Sequence, residues 1–236
     1  MKAGFAGGVN PELAAAARGG ILPRRSLLDD VHDRLIELLL DGDLAPGTRL
    51  SIDALARAWE VSPTPIREAL VRAEASGLVV RQAMKGYQVA PLLPPEDFAQ
   101  LMEMRKLLEP YCAERAVERA DDDLRATLQR QHDVMVHAPT GPTAREFGDY
   151  MRADIAFHET IAEAAGNRFL RTALDTTGTH AHRFRRFTGS GVSDAPDAIL
   201  EHQRVLDAIL AGDAKEASAA MLAHLQGVER RGLGEA

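Results

Sequence analysis

The sequence predicts a mainly α protein in two parts: an N-terminal winged helix-turn-helix and a C-terminal all-α bundle of six or seven helices. Three observations predict it. Apolar residues recur at helical spacing through almost every segment after Ser26. Strand-like patterning is confined to two short runs, Leu78–Val80 and Tyr87–Val89. Between the two parts lies Pro91-Leu-Leu-Pro-Pro95, and three prolines in five residues cannot continue a helix. The division that follows is an Ala/Gly-rich flexible arm at 1–22, the winged helix-turn-helix at 23–90, a stiff linker at 91–95 and the helical domain at 96–236.

In chain order, Ser26 to Leu40 reads as a first helix, with Val31, Leu35, Leu38 and Leu39 on one stripe and Asp29 and Asp30 at its dipole-friendly start. Asp41-Gly42 ends it and Leu44-Ala-Pro-Gly47 turns the chain. Ser51 caps a second helix, Ile52 to Trp59, with Ile52, Leu55, Ala56 and Trp59 facing inward. A third helix opens at Ser62, which sits at the N-cap, with Pro63 at the first helical position and Pro65 still inside the first turn. Ile66, Ala69, Leu70 and Ala73 form its apolar face, and Ser76-Gly77 closes it. The two short strands then make a hairpin turning at Met84-Lys-Gly86. Beyond the linker, helices are expected at about 96–119, 121–137, 143–165, 167–188, 196–211 and 213–231, separated by Asp, Gly and Pro punctuation.

Composition bounds the function. The chain has 236 residues, 45% apolar and 5% aromatic, enough for a real core. The single cysteine, Cys112, excludes an internal disulfide framework and fits a reducing cytoplasm. No stretch approaches the roughly 20 apolar residues of a membrane helix, so no membrane partner is expected. Net charge is −7, yet its distribution is uneven. Residues 49–90 hold six basic against four acidic residues, whereas 91–236 hold 17 against 24. The N-terminal part is the one locally suited to a polyanion.

The third helix carries the chemistry for that polyanion. Small hydroxyls at Ser62 and Thr64, followed by Pro65 and Arg67, place hydrogen-bonding groups at the exposed start of a helix, where phosphates and base edges are contacted. Arg67 is the candidate base-edge contact in duplex DNA. Arg49, Arg57 and Arg72 are candidate phosphate contacts. Lys85 and Gly86 form a wing tip of the kind that enters a neighbouring groove.

The helical domain carries a second constellation. Asp154 and His158 stand four apart on one helix and share a face. His202 lies ten residues before Gly212 and His224 eleven after Asp213, so an antiparallel helix pair returns both imidazoles to one level. One carboxylate and three imidazoles suit a divalent transition metal, Zn²⁺ first and Ni²⁺ as another candidate, with room for water or a ligand carboxylate. His32, His132 and His137 read as ordinary surface or core histidines, and His180 and His182 stay open between the pocket and solvent. Arg105 has two open readings: a salt bridge to Glu109 four residues on, or a bidentate clamp on an effector carboxylate.

With these motifs in place the chain resembles the GntR family of bacterial transcriptional regulators, in the FadR-like subgroup with an all-helical FCD effector domain. The resemblance runs from about Ser26 to Leu225 and rests on Pro46-Gly-Thr-Arg-Leu50, Leu55-Ala56, Thr64-Pro-Ile-Arg-Glu-Ala-Leu70, Gly77-Leu78 and Gly86, then on Arg105 with Glu109, Asp154 through His158, Ala165-Gly-Asn167, Glu201-His202 and His224-Leu225. It departs at Pro63, where relatives usually carry an arginine that helps contact DNA. The resemblance implies a homodimer on a palindromic double-stranded operator and control by a small carboxylate effector. It marks Asp154, His158, His202 and His224 as metal ligands and favours the clamp for Arg105. Two other readings remain: a metal-dependent hydrolytic enzyme using the Asp/His₃ set, with Glu159 or Glu201 as base, and a regulator whose metal is purely structural.

Overall fold

A computed structural model describes residues 27–40, 44–140, 144–175, 177–187 and 195–234. The arm at 1–22, the helix start at Ser26 and the punctuation at Asp41-Gly42, Gly141-Pro142 and Gly189–Gly191 lie outside them. The predicted mainly α architecture is the observed one.

In the N-terminal module, α1 (Leu27–Leu40), α2 (Ile52–Ala58) and α3 (Pro63–Ala75) pack around Val31, Leu35, Leu39, Ile66, Leu70 and Leu78. Ser51 caps α2 by accepting from the Ala54 amide at 3.3 Å. Ser62 does not do the same for α3, although it holds the N-cap position. Of the two amides a cap bond can use, those of the second and third helical residues, Pro65 removes the third, and the remaining one on Thr64 is not bonded by Ser62. The Ser62 hydroxyl is therefore exposed and uncommitted to the helix it precedes.

Three strands complete the module. The hairpin pairs β2 (Val79–Gln82) with β3 (Gly86–Val89), from Val79↔Val89 to Gln82↔Gly86. The two-residue strand Arg49–Leu50, which we call β1, lies against the far side of β3, giving the order β1-β3-β2. Two residues are too few to show alternation, so nothing in the sequence marked them. Tyr87 beside the wing tip is core, with Arg81 over its ring. The tip itself turns through left-handed backbone at Met84 and Gly86.

Extended chain covers only 91–94, because Pro95 already opens α4 (Pro95–Glu118). The bundle continues with α5 (Asp122–His137), α6 (Ala144–Ala164), α7 (Arg168–Leu174), α8 (Thr177–Phe187), α9 (Ala195–Ala211) and α10 (Ala214–Leu233). One predicted helix, 167–188, is thus two: α7 stops at Asp175, and α8 starts anew. Neither Gly nor Pro marks that break; the Leu174 carbonyl is taken instead by the Thr177 hydroxyl at 2.8 Å. Asp121, Asn167 and Asp213 cap α5, α7 and α10 with their side chains.

The bundle core runs through Phe98, Met102, Cys112, Leu128, Tyr150, Phe157, Phe184, Leu206 and Leu225, and Leu40 at the end of α1 belongs to it as well. Leu70→Ala, at a fully buried position of α3, should cost about 2–5 kcal/mol. Urea titration followed by the fluorescence of the lone tryptophan, Trp59, reads that loss in the module that contains it; an unchanged midpoint would contradict the packing.

Candidate metal centre

Asp154 and His158 come from α6, His202 from α9 and His224 from α10, and the bundle turns all four inward. The α9–α10 turn at Gly212, whose φ of 75° suits glycine, does bring His202 and His224 level, with ring centroids 4.1 Å apart. His158 Nε2 lies 3.2 Å from His202 Nε2, and Asp154 Oδ1 lies 3.4 Å from His202 Nε2. One donor atom from each histidine falls within 4.8 Å of the others. Zn–N bonds of about 2.0–2.1 Å at tetrahedral angles separate donor atoms by about 3.3–3.4 Å, so the His158–His202 and Asp154–His202 spacings fit one ion; the mutually close set is the three imidazoles, with Asp154 beside His202.

Outside the donors sits a layer of carboxylates that the sequence did not reveal. Glu109 on α4 accepts from His158 Nδ1 at 2.6 Å, and Glu201 on α9 accepts from His224 Nδ1 at 3.0 Å. A proton held on Nδ1 leaves the Nε2 lone pair facing the centre, the tautomer a metal requires. Each carboxylate is backed by an arginine: Arg105 reaches Glu109 at 2.5 and 3.4 Å, and Arg231 holds Glu201 at 2.7 and 2.8 Å. Gly227 makes the second pair possible, since a Cβ there would stand 2.5 Å from Glu201 Oε1. His182 on α8 donates from Nε2 to Asp154 Oδ2 at 2.8 Å, leaving Oδ1 toward the imidazoles.

Electrostatics follow the same layering. Burial, reinforced by neighbouring His224, pushes His202 well below its ordinary value, and burial lowers His224 and His182 too. All three are neutral near pH 7. Burial alone would raise Asp154, Glu109 and Glu201, but their partners prevail. His182 and His202 hold Asp154 well below the carboxylate range; Arg105 and His158 hold Glu109 at about 2, and Arg231 and His224 hold Glu201 at about 2. At the centre His202 and His224 present neutral nitrogen donors and Asp154 an ionised carboxylate.

The two readings of Arg105 meet here. Its Nε and Nη2 engage Glu109 in a buried ion pair, so its influence reaches His158 through Glu109. Of the open histidines, His182 joins the centre and His180 points elsewhere, to the Ser76 carbonyl. His132 is satisfied by the Ile199 carbonyl at 3.2 Å, the ordinary core role expected of it. Glu201, the possible base of the hydrolytic reading, is committed to Arg231 and His224.

Across the N-terminal module, Arg49, Ser62, Thr64, Arg67, Lys85 and Gly86 are exposed and Pro65 is half-buried. Arg72, the other candidate arginine on α3, is half-exposed and paired to a carboxylate. It lies about 140° around α3 from Arg67, donates to Asp29 at 3.0 Å, and lines a cleft of about 470 Å³ between α1 and α6.

Two family models match the chain: "Bacterial regulatory proteins, gntR family" over residues 27–89 and "FCD domain" over residues 100–227. The HTH-type transcriptional regulator LutR of Bacillus subtilis is 32% identical over 212 residues, covering 81% of this chain and 94% of that protein. The putative L-lactate dehydrogenase operon regulatory protein of Escherichia coli is 29% identical, covering 87% and 85%. Among solved structures, E. coli McbR/YncC superposes with a TM-score of 0.72 at 20% identity, covering 86% and 95%. Among the described residues no helix is long and apolar enough to cross a membrane.

Buried neutral histidines set a pH dependence with a definite sign. The folded-state values of His202, His224 and His182 lie below 6.5, so under acid the unfolded chain binds more protons. Stability of the metal-free protein is full above about 6.5 and declines as the pH falls through it. Glu109 and Glu201 add a second loss, beginning below 4.5 and running toward about 2. A melting temperature that stays flat from about pH 7 to about pH 5 would contradict this burial.

Proposed function

We propose, given that this chain belongs to the GntR family of bacterial regulatory proteins and carries an FCD domain, that its grip on DNA is set by a small organic acid bound beside a divalent metal. Transcriptional regulation itself follows from the family. The observation that carries the finer reading is the convergence of His158, His202 and His224, two of them locked by Glu109 and Glu201 into a metal-ready tautomer.

In this reading Asp154, His158, His202 and His224 hold the ion, with Zn²⁺ as first candidate and Ni²⁺ as another. Bound there, the metal supplies Lewis acidity and an open coordination position for an effector oxygen. Arg105 is assigned to the effector carboxylate, shared with Glu109. The likeness to a lactate-operon regulator is in keeping with a small acid as ligand. The protein acts in the cytoplasm as a homodimer, setting two α3 helices about 34–36 Å apart on a palindromic operator. Arg67, Ser62, Thr64 and Pro65 face the major groove; Arg49 meets phosphates, and Lys85 and Gly86 serve the wing. The site is assigned to sensing rather than turnover because its relatives are regulators and Glu201 is already engaged.

Two measurements test it. Zn²⁺-loaded protein should carry about one ion per chain, and His202→Ala should carry little; full stoichiometry in that variant, by elemental analysis after desalting, would remove the ligand assignment. Arg67→Ala should weaken operator binding by about 1–3 kcal/mol while leaving metal content intact. Fluorescence anisotropy on an operator duplex measures it, and wild-type affinity would exclude Arg67 from the interface.

A further inference from the structure

Helix α8 touches both halves of the molecule. On one side His182 donates to Asp154 Oδ2 at 2.8 Å. On another, His180 Nε2 donates to the Ser76 carbonyl at 2.7 Å, and Arg183 Nη2 donates to the Ala90 carbonyl at 2.7 Å. Helical geometry separates His180 from His182 by about 200° and from Arg183 by about 60°. The two donors that leave the bundle therefore share one side, and His182 reaches into the centre from the other.

The acceptors are placed with equal economy. Ser76 is the C-cap of α3, and carbonyls in a last helical turn lack intrahelical donors. Ala90 ends the wing: its amide bonds the Leu78 carbonyl, and its own carbonyl takes Arg183. Both contacts are made to backbone, at the base of the DNA-reading helix and of the wing. The Arg183 guanidinium is buried, with Nε unpartnered, so withdrawing Ala90 would strand a desolvated charge. At the start of α8, Gly178 seats the helix closely on α6; a Cβ there would stand 3.1 Å from Ile155 Cγ1.

We propose that α8 is the coupling element of this regulator: His182 reads the position of the Asp154 carboxylate, and His180 and Arg183 impose it on the base of the recognition helix and wing. This rests on the metal reading above. An ion taking Oδ1 of Asp154 leaves Oδ2 to His182, so occupancy fixes the carboxylate, then α8, then the two backbone carbonyls. His180 and Arg183 are positioning residues, touching neither metal nor DNA. By linkage the path runs both ways, and operator binding should alter metal affinity by the factor with which metal alters operator affinity.

The test is amide hydrogen exchange on the full chain with and without Zn²⁺, alongside metal stoichiometry. In the wild type, Zn²⁺ should slow exchange roughly fivefold or more at residues 77–80 and 89–90 as well as around the four ligands. In the double variant His180→Ala/Arg183→Met, the ligand helices should keep their response and Zn²⁺ its stoichiometry, while the response at 77–80 and 89–90 disappears. His180→Gln/Arg183→Lys, which restores a donor at each position, should recover part of it. Retained response in His180→Ala/Arg183→Met, or Zn²⁺ uptake by the wild type with no change at 77–80 and 89–90, would overturn the coupling and leave the metal centre standing. Failure of the wild type to take up Zn²⁺ would overturn both.

Discussion

The constraint on which the rest depends is the cost of packing three imidazoles and a carboxylate together where water cannot reach them. Every such group must find a partner inside the protein or destabilise it. The bundle answers with chains of hydrogen-bonded groups, Arg105 to Glu109 to His158, Arg231 to Glu201 to His224, and His182 to Asp154, and leaves Nδ1 of His202 and Nδ1 of His182 unpartnered. These chains require α4, α6, α8, α9 and α10 to meet at fixed heights. The core around Phe98, Phe157 and Leu225 supplies the burial, but it would tolerate other hydrophobic shapes. The polar chains tolerate far less, because half of one is worse than none.

The DNA-facing module is built on the opposite policy. Its candidate DNA contacts, Arg49, Ser62, Thr64, Arg67, Lys85 and Gly86, are exposed. Pro63 and Pro65 shape the first turn of α3, and Pro65 removes one of the two amides a cap bond from Ser62 could use. The result is a helix start whose hydroxyl stays free for an outside acceptor or donor. Where relatives place an arginine, this chain gives up a cation and gains a rigid entry to the helix.

Local order was legible in the sequence, and cross-chain order only in part. Ser51, Asp121 and Asp213 announce helix starts because a cap is a contact within three residues. Asp154 with His158, and His202 with His224 across a tight turn, could be placed because helical pitch sets both relations. Glu109 meets His158 from 49 residues away on a helix with no fixed relation to α6, and His182 meets Asp154 across 28. Nothing in spacing could specify those meetings; they follow from how the helices pack. The same holds for β1, which exists only because β3 is there to pair with it. The division of 167–188 depends on a hydroxyl-to-carbonyl contact at Thr177, which no helix-breaking residue marks.

Leu40 closes α1 yet sits among the side chains of the bundle, and Ile36 one turn earlier packs against both cores. The N-terminal module thus carries an apolar plug that seats in its own helical bundle. Recombination that grafts this module onto a foreign bundle must bring a matching socket for Leu40, or leave a leucine in water. Swapping specificities between such regulators is therefore a problem of interface matching as much as of base recognition.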